Sequence, residues 1–181
     1  MQLPFPEKKY SIIYADPPWK VKAGPGWATS GESRDLEYPT MEIDDIAALP
    51  VKEICNKDAH LYLWVINKYI EQSYGVAREW GFKPICLLTW CKPRHGLGLG
   101  GAFVQTTEHL LFCRRGILRA RCRMDTTWFT HKRLRHSVKP PMFMDMITEV
   151  SGELPRIELF ARRRVEGWDC WGNEVETKEC A

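Results

Sequence analysis

The tetrapeptide Asp16-Pro17-Pro18-Trp19 closes a short apolar run, Tyr10 to Ala15 (Tyr-Ser-Ile-Ile-Tyr-Ala). Two successive prolines cannot continue a central strand, so the chain must turn there, with Asp16 at the strand's carboxyl end. In open α/β sheets that is where ligands bind. A carboxylate beside a backbone carbonyl can accept both N–H bonds of an aromatic amine such as that of adenine. Those contacts favour a more localised nitrogen lone pair and so improve a poor nucleophile. Pro17 has no N–H, so its carbonyl can face a base without a competing donor from that residue. Trp19 offers a flat surface on which an extruded base can stack. The same four residues also suit a plain role, a proline-rich turn with an Asp cap and a core Trp.

Charge supplies a second feature. Between Arg114 and Lys139 stand nine basic residues (Arg114, Arg115, Arg119, Arg121, Arg123, Lys132, Arg133, Arg135, Lys139) against the single acid Asp125. From Val165 onward the acids Glu166, Asp169, Glu174, Glu176 and Glu179 outnumber Lys178, although the whole chain is only +3. Such asymmetry suits a polyanionic partner at the central segment. Arg119, Arg121 and Arg123 alternate, so an extended conformation would place all three guanidiniums on one side, ready for phosphates. Two other readings stand beside it: the arginines solvate a surface loop, or they pair with the acidic C-terminal stretch.

The elements that position these residues follow from periodicity. Strands are expected at Tyr10–Ala15, His60–Ile66, Ile85–Trp90, Glu108–Cys113 and Arg156–Ala161. Thr40 can cap a short helix with Ile43, Ile46 and Leu49 on one side. After Asn67, Ile70, Tyr74 and Ala77 recur at helical spacing until Gly81. Pro140 and Pro141 open a helix bearing Phe143, Ile147 and Val150, closed by Gly152. Residues 20 to 37 and the run Gly96-Leu97-Gly98-Leu99-Gly100-Gly101 read as flexible loops, the latter near the substrate. Strands alternating with helices indicate an α/β sheet, mostly parallel and covered on both faces.

With 181 residues and a hydrophobic fraction of 44%, one globular domain spanning 1–181 is expected. Seven cysteines are scattered without a C-x-x-C pair, which suits buried thiols in a reducing compartment and argues against a disulfide scaffold or a metal site. No apolar run approaches a membrane span, and Met1 to Tyr10 has no signal-peptide core, so a soluble, cytoplasmic protein is expected.

The tetrapeptide after its hydrophobic strand resembles the motif of the MT-A70 adenine methyltransferases. The resemblance continues in order from about Lys9 to about Val175. Tyr38-Pro39-Thr40-Met41, Leu61-Tyr62-Leu63-Trp64, Trp80-Gly81-Phe82, Thr89-Trp90-Cys91-Lys92 and Thr107-Glu108-His109 each match in turn. His136-Ser137-Val138-Lys139-Pro140, Ile157-Glu158-Leu159-Phe160-Ala161-Arg162 and Trp171-Gly172-Asn173-Glu174 complete the series.

This resemblance implies a Rossmann-like, S-adenosylmethionine-dependent methyltransferase fold, circularly permuted so that the catalytic motif precedes the cofactor-binding strand. It implies a catalytic set of Asp16, Pro17, Pro18 and Trp19, with Asp16 contacting both the target amine and the cofactor. Lys139 would pair with the cofactor's carboxylate, and Glu158, Arg162, Asn173 and Glu174 would complete the cofactor site. Lys139 as a solvated helix-start residue and Asn173 as a turn former are the plain alternatives. Tyr38 and Trp19 would border the adenine pocket, and Arg119, Arg121 and Arg123 would hold the nucleic acid. Ala161 stands where some relatives have glycine, which bears on the loop's path. The expected activity is methylation of the adenine N6 amino group in DNA, with no metal. RNA is the closest alternative substrate, and a non-catalytic nucleic-acid-binding subunit is another reading. A homodimer or a partner subunit fits either.

Overall fold

The computed structural model describes residues 4–20, 39–93, 102–132, 138–173 and 175. Among them a seven-stranded sheet runs in the order β5-β3-β4-β2-β1-β6-β7. At its middle lies β1 (Tyr10–Ala15), every residue of which is buried. It pairs in parallel with β2 (Cys55–Val65) on one side and β6 (Arg156–Leu159) on the other. Strand β7 (Asp169–Trp171) extends the sheet beyond β6 in the same direction. On the other flank, β4 (Thr107–Arg115) is antiparallel to both β2 and β3 (Lys83–Cys91), and β3 is parallel to the short β5 (Trp128–Thr130). All strands but β4 therefore end at one edge of the sheet.

Both faces are covered, which is why β1 reads as an apolar run broken only by Ser11 rather than an alternating one. Ile13 and Ala15 face a core shared with Ile46 of α1 (Ile43–Ala47), Val51 and Ile54 of α2 (Val51–Ile54), and Val76 and Ala77 of α3 (Ile70–Glu79). Ile12 and Tyr14 face the opposite core, with Trp64, Trp90 and Leu110, against Phe143, Met146 and Ile147 of α4 (Met142–Ser151). Pro141 caps α4 at φ −54°, where its missing N–H costs no intrahelical bond, and Gly152 ends the helix at φ 90°.

Large aromatics carry much of this packing, and their polar atoms are satisfied. Trp64 Nε1 donates to Tyr14 Oη at 2.6 Å, and Trp80 Nε1 donates to the Ile46 carbonyl at 3.0 Å. An unmet donor at such depth costs about 1–3 kcal/mol.

Four features depart from the sequence reading: the N-cap of α1 is Glu42, with no side-chain cap bond, rather than Thr40, and three departures concern strands. Strand β2 begins at Cys55, five residues before the expected His60, and β5 and β7 were not foreseen. Each of the latter has only three residues, too few to show a period. The chain leaves β1 toward β2 and leaves β6 toward β7, so the connections diverge between β1 and β6. That divergence opens a crevice at the carboxyl ends of these two strands.

Candidate active site

Asp16 sits at this crevice, and its N–H donates to the Leu159 carbonyl at 3.4 Å, one step past the β1–β6 ladder. Beyond it the prolines force a tight three-residue turn, in which the Trp19 N–H donates to the Pro17 carbonyl at 2.8 Å. The Met41 N–H donates to the Pro18 carbonyl at 2.9 Å and fastens the turn to the segment entering α1. The Pro17 carbonyl thus has one partner already and one lone pair left.

Trp19 differs from the stacking platform read from the sequence. It is only 4% exposed, stacks on Tyr69 at 5.6 Å, and donates Nε1–H to the Trp64 carbonyl at 2.9 Å. Its ring belongs to the core beneath the turn, because the bridge between Trp19 and Met41 turns the side chain inward.

A chain of alternating charges crosses the crevice. Lys139 Nζ lies 2.6 Å from Asp16 Oδ2 and 3.4 Å from Glu108 Oε2, while Lys92 Nζ lies 2.8 Å from Glu108 Oε1. Lys139 comes from the segment just before α4 and hangs over the Trp64 ring, 5.1 Å from its centroid. Burial pushes the Asp16 carboxyl up, and the Lys139 ammonium brings it back only part of the way. At Glu108 burial also pushes upward, but Lys139 and Lys92 together outweigh it and hold the carboxyl below its usual range. Burial would lower Lys139, yet Asp16 and Glu108 more than compensate and raise it. Glu158 stands opposite Tyr14 in register and is pushed up to about 7, first by burial and then by Asp16.

Where β6 ends, Phe160 takes φ 64°, a left-handed conformation that is rare for an aromatic residue. The next strand's end crowds it: a Cβ at Gly172 would lie 2.2 Å from the Ala161 carbonyl oxygen. Glycine at 172 lets the two backbones meet, and the positive φ falls on Phe160 rather than on Ala161. Arg162 follows, close enough for its charge to stabilise the Asp16 carboxylate.

Asp16, Lys139, Glu158 and Arg162 therefore converge on the β1–β6 crevice, as the charges they exert on Asp16 or feel from it show. Asn173 is exposed just past the end of β7. Tyr38, Glu174 and the glycine run 96–101 lie outside the described residues. Arg119, Arg121 and Arg123 are exposed but are not at the crevice. They follow the end of β4, where Arg115 pairs with Ala59, whereas the catalytic end of β2 is at Leu63, opposite Ala15. The Arg121 N–H donates to the Val150 carbonyl at 2.8 Å, and its side chain lies against Gly152 at the far end of α4. There it helps line a cavity of about 670 Å³ with Asp145, Glu149, Glu153, Arg156 and Trp168. The expected extended alternation is replaced by a bend at residues 121–122.

The sequence reading gave Glu108, Lys92 and Trp64 no role of their own. Glu108 lies directly opposite Trp90 across the β3–β4 pair and so diagonally from Lys92, two residues past Trp90, a relationship that only the antiparallel register reveals.

The chain matches the MT-A70 family model over residues 10–174. It is 31% identical over 188 residues to the type II methyltransferase M.MunI of a Mycoplasma species, covering 94% of this chain and 79% of that protein. It is 26% identical to a putative N(6)-adenosine-methyltransferase MT-A70-like protein of Medicago truncatula, covering 92% of this chain and 26% of that protein. To the human N(6)-adenine-specific methyltransferase METTL4 it is 25% identical, covering 93% of this chain and 38% of that protein. The chain belongs to the MT-A70 family of methyltransferases, with a mixed α/β, Rossmann-like sheet.

Proposed function

We propose that this chain transfers the methyl group of S-adenosylmethionine to the N6 amino group of adenine in DNA. The observation that carries this reading is the Asp16–Lys139 pair at the strand crevice, set in an Asp-Pro-Pro-Trp turn. The charges present there fit the donor. Asp16 and Glu158 offer carboxyl groups to an ammonium and a sulfonium, and Lys139 offers a compact cation to a carboxylate. When bound, the donor supplies a methyl group activated by positively charged sulfur.

This chain's residues do the rest. Asp16 and the free lone pair of the Pro17 carbonyl accept the two amine N–H bonds and orient the nitrogen lone pair. Lys139 would hold the donor's carboxylate, and Asp16 would then be open to the amine. Glu158, Arg162, Asn173 and Glu174 would hold the rest of the donor. The amine gives up one proton as its new N–C bond forms, and Asp16, raised by burial, is the base that the site offers.

DNA is favoured over RNA because similarity to the Mycoplasma type II methyltransferase exceeds that to the adenosine-methyltransferases. The test is incubation of the purified protein with labelled donor and sequence-matched DNA and RNA, followed by nucleoside analysis. Label in N6-methyladenine of DNA is the expected result. Label confined to RNA would move the substrate. Binding of S-adenosylhomocysteine without transfer to either would make the chain a non-catalytic partner subunit.

A further inference from the structure

We propose that Glu108 is a positioning residue that holds Lys139 at the crevice as a second counter-ion, so that Asp16 is free to engage the target amine. The inference rests on the methyl-transfer reading above and adds a part to it.

Lys139 stands between two carboxylates, 2.6 Å from Asp16 and 3.4 Å from Glu108, with only 15% of its side chain exposed. Before the donor's carboxylate arrives, a buried ammonium bound to Asp16 alone would be stranded whenever Asp16 turned to another partner, and it would therefore keep Asp16 occupied. Glu108 removes that penalty. Its two oxygens are divided, Oε2 toward Lys139 and Oε1 toward Lys92 at 2.8 Å, so Lys92 fixes Glu108 from behind. The support is rigid. Glu108 on β4 faces Trp90 on β3, Lys92 lies over the Trp90 ring, and Lys139 lies over Trp64. Trp64 and Trp90 meet edge to face at 6.1 Å, so the cations rest on two packed indoles. None of the contacts that Glu108 makes uses Asp16 or the Pro17 carbonyl.

Asp16 is faced by Lys139 from before α4, Glu108 from β4, Arg162 from beyond β6, Glu158 from β6 and Tyr14 from β1. Of these, Glu108 both repels the Asp16 carboxylate directly and draws Lys139 away from it. Removing its charge lowers the Asp16 midpoint on both counts.

The test uses the full chain with Glu108→Gln and, as the charge-conserving variant, Glu108→Asp. The Asp16 carboxyl is titrated by 13C NMR in the ligand-free protein, and the pH–rate profile of methyl transfer is measured alongside. With Glu108→Gln the Asp16 midpoint should fall, the acid limb of kcat should move to lower pH, and kcat at neutral pH should drop roughly tenfold. Glu108→Asp should restore most of each. An Asp16 midpoint that stays in place overturns the proposal whatever the rate does, and so does a shifted midpoint with an unchanged profile. Should the unmodified chain transfer no methyl group, the functional reading fails first, while the NMR titration still reports whether Glu108 acts on Asp16.

Discussion

Lys139 reaches Asp16 across a sequence separation of 123, tying the approach to α4 to the carboxyl end of β1 at 2.6 Å. The pair is a long-range contact within a buried crevice, so each partner is constrained by more than its own strand or helix. Removing Asp16 should act on chemistry more than on folding, because Glu108 remains as a partner for Lys139.

Asp16→Ala should therefore abolish measurable methyl transfer while leaving the thermal midpoint within a few degrees of the parent. Asp16→Asn keeps the shape and loses the charge. Its kcat should fall by roughly 10²–10³, the usual effect of losing one well-placed polar group at a reacting centre. Near-normal turnover by a correctly folded Asp16→Ala protein would falsify the catalytic assignment.

Lys139→Ala removes the cation proposed to hold the donor's carboxylate. Calorimetric titration with S-adenosylhomocysteine should show affinity weakened by about tenfold or more. Nucleic-acid affinity should change little. Unaltered cofactor affinity would leave Lys139 as a counter-ion of Asp16 and Glu108 and remove it from the donor's site.

How far the sequence revealed this arrangement depended on the length of each signal. Tyr10–Ala15, the Asp-Pro-Pro-Trp turn and the α4 helix were legible because apolar runs and paired prolines leave few alternatives. Strands β5 and β7 were not, since three residues of strand acquire their meaning only from neighbours β3 and β6. Trp19 misled for a related reason: a flat ring suits a base or a core equally well, and only the Trp19–Met41 bridge decides the direction it faces. Glu108 was visible in Thr107-Glu108-His109 but silent, because its partners Lys92 and Lys139 come from separate segments.

Trp19 accordingly yields a stability prediction. Trp19→Ala should cost about 3–5 kcal/mol, as expected for emptying a large aromatic site in a core. Trp19→Phe keeps a ring against Tyr69 but loses the bond to the Trp64 carbonyl, so its thermal midpoint should drop by less. KM for nucleic acid should stay within about twofold in the Phe variant. A large rise in that KM with an unchanged midpoint would restore Trp19 as a base-stacking surface.

Glu158 ties stability to pH. Its folded value of about 7 lies above the 4.5 of the free side chain, so between these limits the folded chain holds more protons than the unfolded one. Stability contributed by this group therefore falls as pH rises from about 4.5 to about 7 and stays low above that range. Glu158→Gln should be no more stable than the parent near pH 4.5 and should gain steadily toward neutrality. The gain should level off on the order of 1–2 kcal/mol, after allowance for partial solvent screening. Chemical denaturation of both proteins at several pH values would show it, and a gain independent of pH would remove Glu158 as its source.

The three arginines provide the last prediction, and here position decides. Arg119, Arg121 and Arg123 follow the end of β4 that pairs with Ala59, at the sheet edge opposite Asp16, and Arg121 is engaged with the end of α4. A nucleic acid with its adenine at the crevice must lay its phosphates along the other edge. Lys132 is exposed there, just beyond the end of β5, where Thr130 pairs with Cys91. Replacing the three arginines with Ser should leave the slope of log affinity against log salt unchanged and lower the thermal midpoint slightly through Arg121. Lys132→Ser should instead reduce that slope by about 1, the effect of losing a single phosphate contact. Fluorescence anisotropy with a labelled duplex across a series of salt concentrations distinguishes the two. A slope that flattens in the triple variant would mean that the nucleic acid wraps around the far edge after all, and the arginines would regain a role in binding it.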